Sequence, residues 1–157
     1  MRKALELKIP PLAWFAITAA LMWACVRWLP QWNFYFPGQT VLAASLVGEG
    51  LAVVAAGLYA MREANTTANP LNPERASSLV CHGIYCYTRN PMYVGMMLLG
   101  LGWFFYLGNL AALPFLANLG TCLHVFQILP EERTLQEKFA DHYSQYRKRV
   151  PRWLFIR

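Results

Sequence analysis

Charge is what this sequence has least of. Of its 157 residues only 14% are Asp, Glu, Lys or Arg, while 57% are hydrophobic and 15% aromatic. With a positive mean hydropathy, that balance excludes an ordinary soluble domain and a disordered chain. Metal-type cysteine pairs are absent too. Cys25, Cys81, Cys86 and Cys122 form no C-x-x-C, and no H-x-x-x-H occurs. Cys81, His82, Cys86 and His124 would converge only by an accident of folding, so no metal site is expected and the cysteines read as reduced thiols. A cleavage signal is also missing. Met1-Arg2-Lys3 before an apolar run resembles a leader, but no small-x-small site follows and Arg27-Trp28-Leu29-Pro30 closes the run, so it reads as a retained span. The net charge of +6 comes from basic residues at the ends of apolar segments. They build no single basic face, which points to anionic lipid headgroups and away from nucleic acid.

What is present is a set of apolar windows of the length that crosses a hydrocarbon core, about 20 residues. Four spans are expected, at about 11–28, 40–61, 91–107 and 110–129, making an all-α polytopic membrane protein of one domain, 1–157. Trp14, Trp23 and Trp28 suit interfacial anchors in the first span. In the second, Ala44, Gly48, Ala52 and Ala56 form a ridge along which another helix can approach closely. Only Gly108-Asn109 separates the third and fourth spans, which predicts a tight hairpin. Pro130 then ends or kinks the fourth. Beyond it, Leu135, Phe139, Tyr143 and Tyr146 make an apolar stripe, so residues 131–148 are expected as an amphipathic helix on the membrane surface. All fourteen Lys and Arg except Arg27 fall on one side of these spans. Both termini and the long polar connection from Arg62 to Arg89, with its Asn69-Pro70 and Asn72-Pro73 turns, are therefore expected to be cytoplasmic. The Asn65-Thr66-Thr67 sequon would then be unused.

The stretch Gly83 to Gly95 concentrates tyrosine, Arg89 and an Asn90-Pro91 helix start. Asn90 has the chemistry of an N-cap and Pro91 that of a first helical residue, and the N–H groups that follow suit an anion. The same dipeptide also reads as a plain turn. In an unbroken helix, His124, Gln127, Glu131 and Leu135 share one face, so a histidine and a carboxylate would meet this stretch as acid/base groups or as ligands for a cationic cofactor. Glu49, in the middle of the second span, reads either as a functional carboxylate or as a paired or protonated structural one.

Arg89-Asn90-Pro91-Met92-Tyr93-Val94-Gly95, an apolar hairpin, and then Glu131-Glu132, Leu135, Phe139, Tyr143, Tyr146 and Val150-Pro151-Arg152 resemble the isoprenylcysteine carboxyl methyltransferase family over roughly residues 77–154. The resemblance implies an integral membrane enzyme that passes the methyl group of S-adenosyl-L-methionine to a lipophilic acceptor. It implies a cofactor loop over 77–95, with Ser77, Ser78, Leu79, Val80, Tyr85, Asn90, Pro91, Met92 and Tyr93 lining the pocket and Glu131 holding the cofactor's polar end. Arg89 and Gln127 fall at substrate positions. Three positions depart from the family's pattern: Asn90 replaces histidine, Ala140 replaces glycine after Phe139, and Gln127 replaces arginine. Asn-Pro-Met-Tyr and the Glu pair are also similar to phosphatidylethanolamine N-methyltransferases, so a lipid amine is an alternative acceptor. An amine needs a base, with Glu132, His124 and Glu49 as candidates; a carboxylate or thiolate needs none. The non-enzyme reading is a small four-span scaffold or transport subunit.

Overall fold

A computed structural model describes residues 6–66 and 76–154. The Asn69-Pro70 and Asn72-Pro73 turns, Thr67 of the sequon, and Arg2, Lys3, Arg75 and Arg157 lie outside the described residues. The described residues are helical, joined by turns, with one isolated bridge between Asn33 and Asn109. The helices are α1 Pro11–Trp28, α2 Gln39–Glu63, α3 Pro91–Leu107, α4 Leu113–Leu123 and α5 Leu129–Arg149. A π-helical turn, His124–Ile128, joins α4 to α5 without a break. Among the described residues, three helices are long and apolar enough to cross a membrane: α1, α2 and the continuous run Leu110–Arg149. The fourth apolar helix, α3, is shorter, at 17 residues.

Local chemistry sets the helix ends. Pro11 and Pro91 open α1 and α3 at the position where a missing N–H costs nothing. Asn65, at φ +49°, closes α2 in a left-handed turn in which the Thr66 N–H donates to the Met61 carbonyl and the Asn65 N–H to that of Arg62. Gly108, at φ +59°, ends α3. A Cβ there would lie 2.6 Å from the Phe34 carbonyl, so glycine is required. Asn109, fully buried, donates to the Leu29 carbonyl and to Asn33 Oδ1 and accepts from the Ala111 N–H, tying the two turns at this end together.

α2 and α3 meet backbone to backbone. A Cβ on Gly95 would lie 2.5 Å from Val54 Cγ2 and 2.7 Å from the Gly50 carbonyl, and one on Gly102 would lie 2.9 Å from the Ala43 carbonyl. The face of α2 in contact is therefore Ala43, Gly50 and Gly57, not the ridge of Ala44, Gly48, Ala52 and Ala56, which stays exposed. A spacing of seven residues matches Gly95 and Gly102 on the partner; the spacing of four has no such counterpart. α1 packs against α4 and α3, with the Trp103 indole donating to the Ala19 carbonyl. Trp23 and Trp28 are exposed, whereas Trp14 stacks on Phe126 at 5.5 Å.

Pro130 does not end the helical run. A proline has no N–H to give the carbonyl four residues back, and its ring crowds that carbonyl. Here the wider π turn spans the affected residues, and the Phe126 carbonyl accepts from the Leu7 N–H at 3.1 Å. The break lies further on, at Ala140, where φ is 40° and ψ −111°.

Candidate active site

At the end where α2 finishes and α3 begins, a cavity of about 90 Å³ is enclosed by three pieces of chain. Met61, Thr66 and the loop through Ala76, Ser78, Leu79, Val80 and Tyr85 form one wall, Arg89 to Tyr93 the second, and Glu131, Glu132, Leu135, Tyr143 and Tyr146 the third. The loop is held by its own polar side chains. Ser78 Oγ donates to the Ala64 carbonyl at 2.9 Å, and Ser77 Oγ to the Asn65 carbonyl at 2.8 Å. The apolar stripe of α5 packs onto this loop: Tyr143, Tyr146 and Val150 are buried with Leu79, Leu135 and Phe139 against them. The Tyr146 hydroxyl donates to the Tyr85 carbonyl at 2.8 Å. The stripe expected to face lipid is thus a wall of the cavity.

Glu131 is the central charge. The Tyr93 hydroxyl donates to its Oε1. Burial pushes its carboxyl up to about 8; the Tyr93 hydrogen bond opposes this and neighbouring Glu132 adds to it. Tyr85 is 5% exposed, its hydroxyl has no hydrogen-bond partner, and burial raises its phenol. Arg89 Nε is likewise buried without a partner. Unpaired buried donors beside a desolvated carboxyl are more typical of a ligand site than of a packing core.

Nine of the ten residues expected around a cofactor line this cavity: Ser78, Leu79, Val80, Tyr85, Asn90, Pro91, Met92, Tyr93 and Glu131. Ser77 does not, being turned to the end of α2. Asn90 precedes the helix but does not cap it through its side chain. Its Nδ2 donates instead to the Arg152 carbonyl at 3.0 Å. The Tyr93 and Val94 N–H groups return to the Asn90 carbonyl, which leaves the Met92 N–H as the open donor of the first turn among the described residues.

The candidate bases fare differently. Glu49 sits exposed on α2, outside the cavity. His124 faces a separate groove with Met97, Gly120 and Trp153. In an unbroken α-helix, residues 124 and 131 share a face; the π turn adds a residue to the turn and rotates them apart. Gln127 is fully buried, and its amide donates to the Ile9 carbonyl at 2.7 Å, so it secures the segment before α1 and does not reach the cavity. Glu132 lines the cavity but its oxygens are occupied: Arg152 meets it through Nε at 3.0 Å and NH2 at 2.8 Å, and Arg89 through NH1 at 3.0 Å. Arg89 lines the cavity and also donates to the Tyr143 hydroxyl at 3.3 Å. Sequence reasoning missed Arg152, Tyr143 and Tyr146 as site residues. Their signal was the aromatic stripe ending in Val150-Pro151-Arg152, which reads equally well as a surface helix.

Protein-S-isoprenylcysteine O-methyltransferase of Schizosaccharomyces pombe is 40% identical over 73 residues, which are 46% of this chain and 31% of the yeast protein. The chain thus spans about a third of that relative's length. An uncharacterized protein of Haemophilus influenzae is 38% identical over 63 residues, 40% of this chain and the whole of that protein. No solved structure matches. The phospholipid methyltransferase family matches residues 38–142, a stretch that contains α2, α3, α4 and the first part of α5, and the chain belongs to that family.

Proposed function

We propose that this protein transfers the methyl group of S-adenosyl-L-methionine to a lipophilic acceptor at the membrane, as an isoprenylcysteine carboxyl methyltransferase does. The observation that carries the reading is Glu131: a carboxyl desolvated in a cavity, held by Tyr93, beside the Pro91 helix start. An ammonium group would draw it to its ionised form, and a carboxylate would suit the Met92 N–H and the helix start. The donor set therefore fits the amino-acid end of the cofactor. The enclosed 90 Å³ admits little more than that end. The neighbouring open cleft of about 630 Å³, which shares Leu79 and Tyr146 as walls, is the nearest volume for the rest. When bound, the cofactor supplies an activated methyl group. The protein's part is to hold donor and acceptor in line and exclude water, a positioning effect worth up to about 7–11 kcal/mol.

For an amine acceptor a base is needed: Glu49 and His124 lie outside the cavity, Glu132 is held by two arginines and Glu131 is assigned to the cofactor, while His142 lines the open cleft; a carboxylate or thiolate acceptor needs none.

In this reading α1, α2, α3 and the run 110–129 are four spans of one domain, with α3 and α4 as a hairpin. At 17 residues α3 rises about 25 Å, within reach of a hydrocarbon core. The distribution of basic residues supports a cytoplasmic side for both termini and the cavity. The test is calorimetric titration of the purified full chain in detergent with S-adenosylhomocysteine. Binding is expected; a folded protein that binds none of it would overturn the reading.

A further inference from the structure

The segment after α5 returns across the start of α3 as a strap. The Arg89 N–H donates to the Pro151 carbonyl at 3.0 Å, and Thr88 Oγ1 and Asn90 Nδ2 both donate to the Arg152 carbonyl at 3.0 Å. These three bonds use side chains and backbone of the loop but only backbone of the strap. They hold it whatever side chain residue 152 carries.

The side chain of Arg152 does something else. Glu132 is shared by two guanidinium groups, Arg152 in a two-pronged contact and Arg89 in a single one. Among these three side chains two positive charges face one negative, and the adjacent Glu131 carboxyl, raised to about 8, is the group assigned to an ammonium. The Arg89 and Glu132 side chains are only 5% and 9% exposed, so water screens these charges poorly. Arg89 lines the cavity, and its buried Nε has no hydrogen-bond partner. A buried guanidinium with an unpaired donor, next to a helix start, suits an oxyanion. Without Arg152, Glu132 would neutralise Arg89, and the attraction for an anion would vanish although Arg89 itself remained.

We propose that Arg152 is a positioning residue that neutralises Glu132 and thereby leaves Arg89 free to bind a carboxylate at the start of α3. The inference rests on the methyltransferase reading. The carboxylate belongs either to the amino-acid end of the cofactor or to the acceptor, and the same variants separate the two.

The experiment measures binding to the full chain in detergent for the parent, Arg152→Gln, Arg152→Lys and the double variant Glu132→Gln with Arg152→Gln. Two ligand pairs are used. S-adenosylhomocysteine is compared with methylthioadenosine, which lacks the amino-acid end, and a prenylated thioether acid is compared with its amide. Arg152→Gln is expected to weaken the carboxylate-bearing member of one pair by about tenfold and to leave its uncharged counterpart unchanged. The pair affected identifies the source. Arg152→Lys, which keeps the charge, is expected to bind like the parent. The double variant, which removes the Glu132 charge as well, is expected to recover the affinity lost in Arg152→Gln, a reversal that loss of a merely structural contact does not give. The proposal is overturned if Arg152→Gln weakens charged and uncharged ligands alike or changes neither, or if the double variant binds no better than Arg152→Gln. Should Arg152→Gln fail to fold, a double variant weaker than Arg152→Lys by tenfold or more overturns it equally. A parent that binds none of the four ligands would remove the methyltransferase reading and this proposal together.

Discussion

The contact between α2 and α3 and the cavity at one end of the same two helices use opposite means. Along the contact, glycine lets backbones touch, with no charge and no room for a single Cβ at Gly95. At the cavity, the chain leaves space, buries the Arg89 and Glu132 side chains with Glu131 half-buried beside them, and leaves the hydroxyl of Tyr85 without a partner. The first arrangement gives stability and no chemistry. The second accepts the cost of desolvated charge, which is how functional sites differ from cores. The rigid contact is also what makes the cavity possible, because it fixes Met61 and Pro91 at neighbouring helix ends.

The sharpest way to break this comparison is at Gly95. Gly95→Leu should destabilise the protein by about 3 kcal/mol or more, because the clash is with the Gly50 carbonyl and Val54. Gly48→Leu, where nothing lies within 4 Å, should leave the melting temperature in detergent nearly unchanged. Equal melting temperatures would contradict the packing face assigned to α2.

Next in size is Glu131→Gln, which should lower affinity for S-adenosylhomocysteine by about 10- to 100-fold, as loss of a charge-assisted bond does. Glu137→Gln, on an exposed position of the same helix, should not change it. The pH dependence follows from the sign of the shift. A carboxyl raised from 4.5 to about 8 carries a stability cost that is absent below about 4.5, grows as pH rises, and is complete above about 8. Parent stability should therefore fall relative to Glu131→Gln across that window, while affinity for the ammonium-bearing ligand rises. Parallel stability curves would refute the buried, uncompensated state of Glu131.

Tyr93→Phe should have a smaller effect, a few-fold in affinity. It removes the hydrogen bond that favours the ionised carboxylate, so the midpoint of the pH dependence of binding should move up. A downward shift would mean that Tyr93 does not act through Glu131. The smallest expected effect is that of Ala140→Gly, which should stabilise by up to about 1 kcal/mol, because φ 40° with ψ −111° is a conformation that only glycine adopts without strain. A melting temperature that drops would show that the chain is not bent there.

Legibility divided along the same line. The apolar helices were written in hydropathy, and their ends in Pro11, Pro91 and Gly108, because a helix start or stop depends on neighbours in sequence. One wall of the cavity was legible for a related reason: Tyr85 and Asn90 to Tyr93 lie in one continuous stretch. The face of α2 was not legible, since Ala44, Gly48, Ala52 and Ala56 are as small as Ala43, Gly50 and Gly57. Only the partner's Gly95 and Gly102 choose between them.

By itself, then, the sequence determined an apolar helical chain, the places where its helices begin, and a motif that gathers tyrosine, arginine and a helix start. The tertiary structure alone decided which polar groups meet. The π turn at His124–Ile128 separates His124 from Glu131, and the strap brings Arg152 to Glu132 across 20 residues. The physical reason is that a repeat of 3.6 residues assigns a face only while the helix stays regular. Glu132 and Arg152, on opposite sides of the Ala140 bend, find each other through the packing of Tyr143 and Tyr146 on the loop that carries Leu79 and Tyr85.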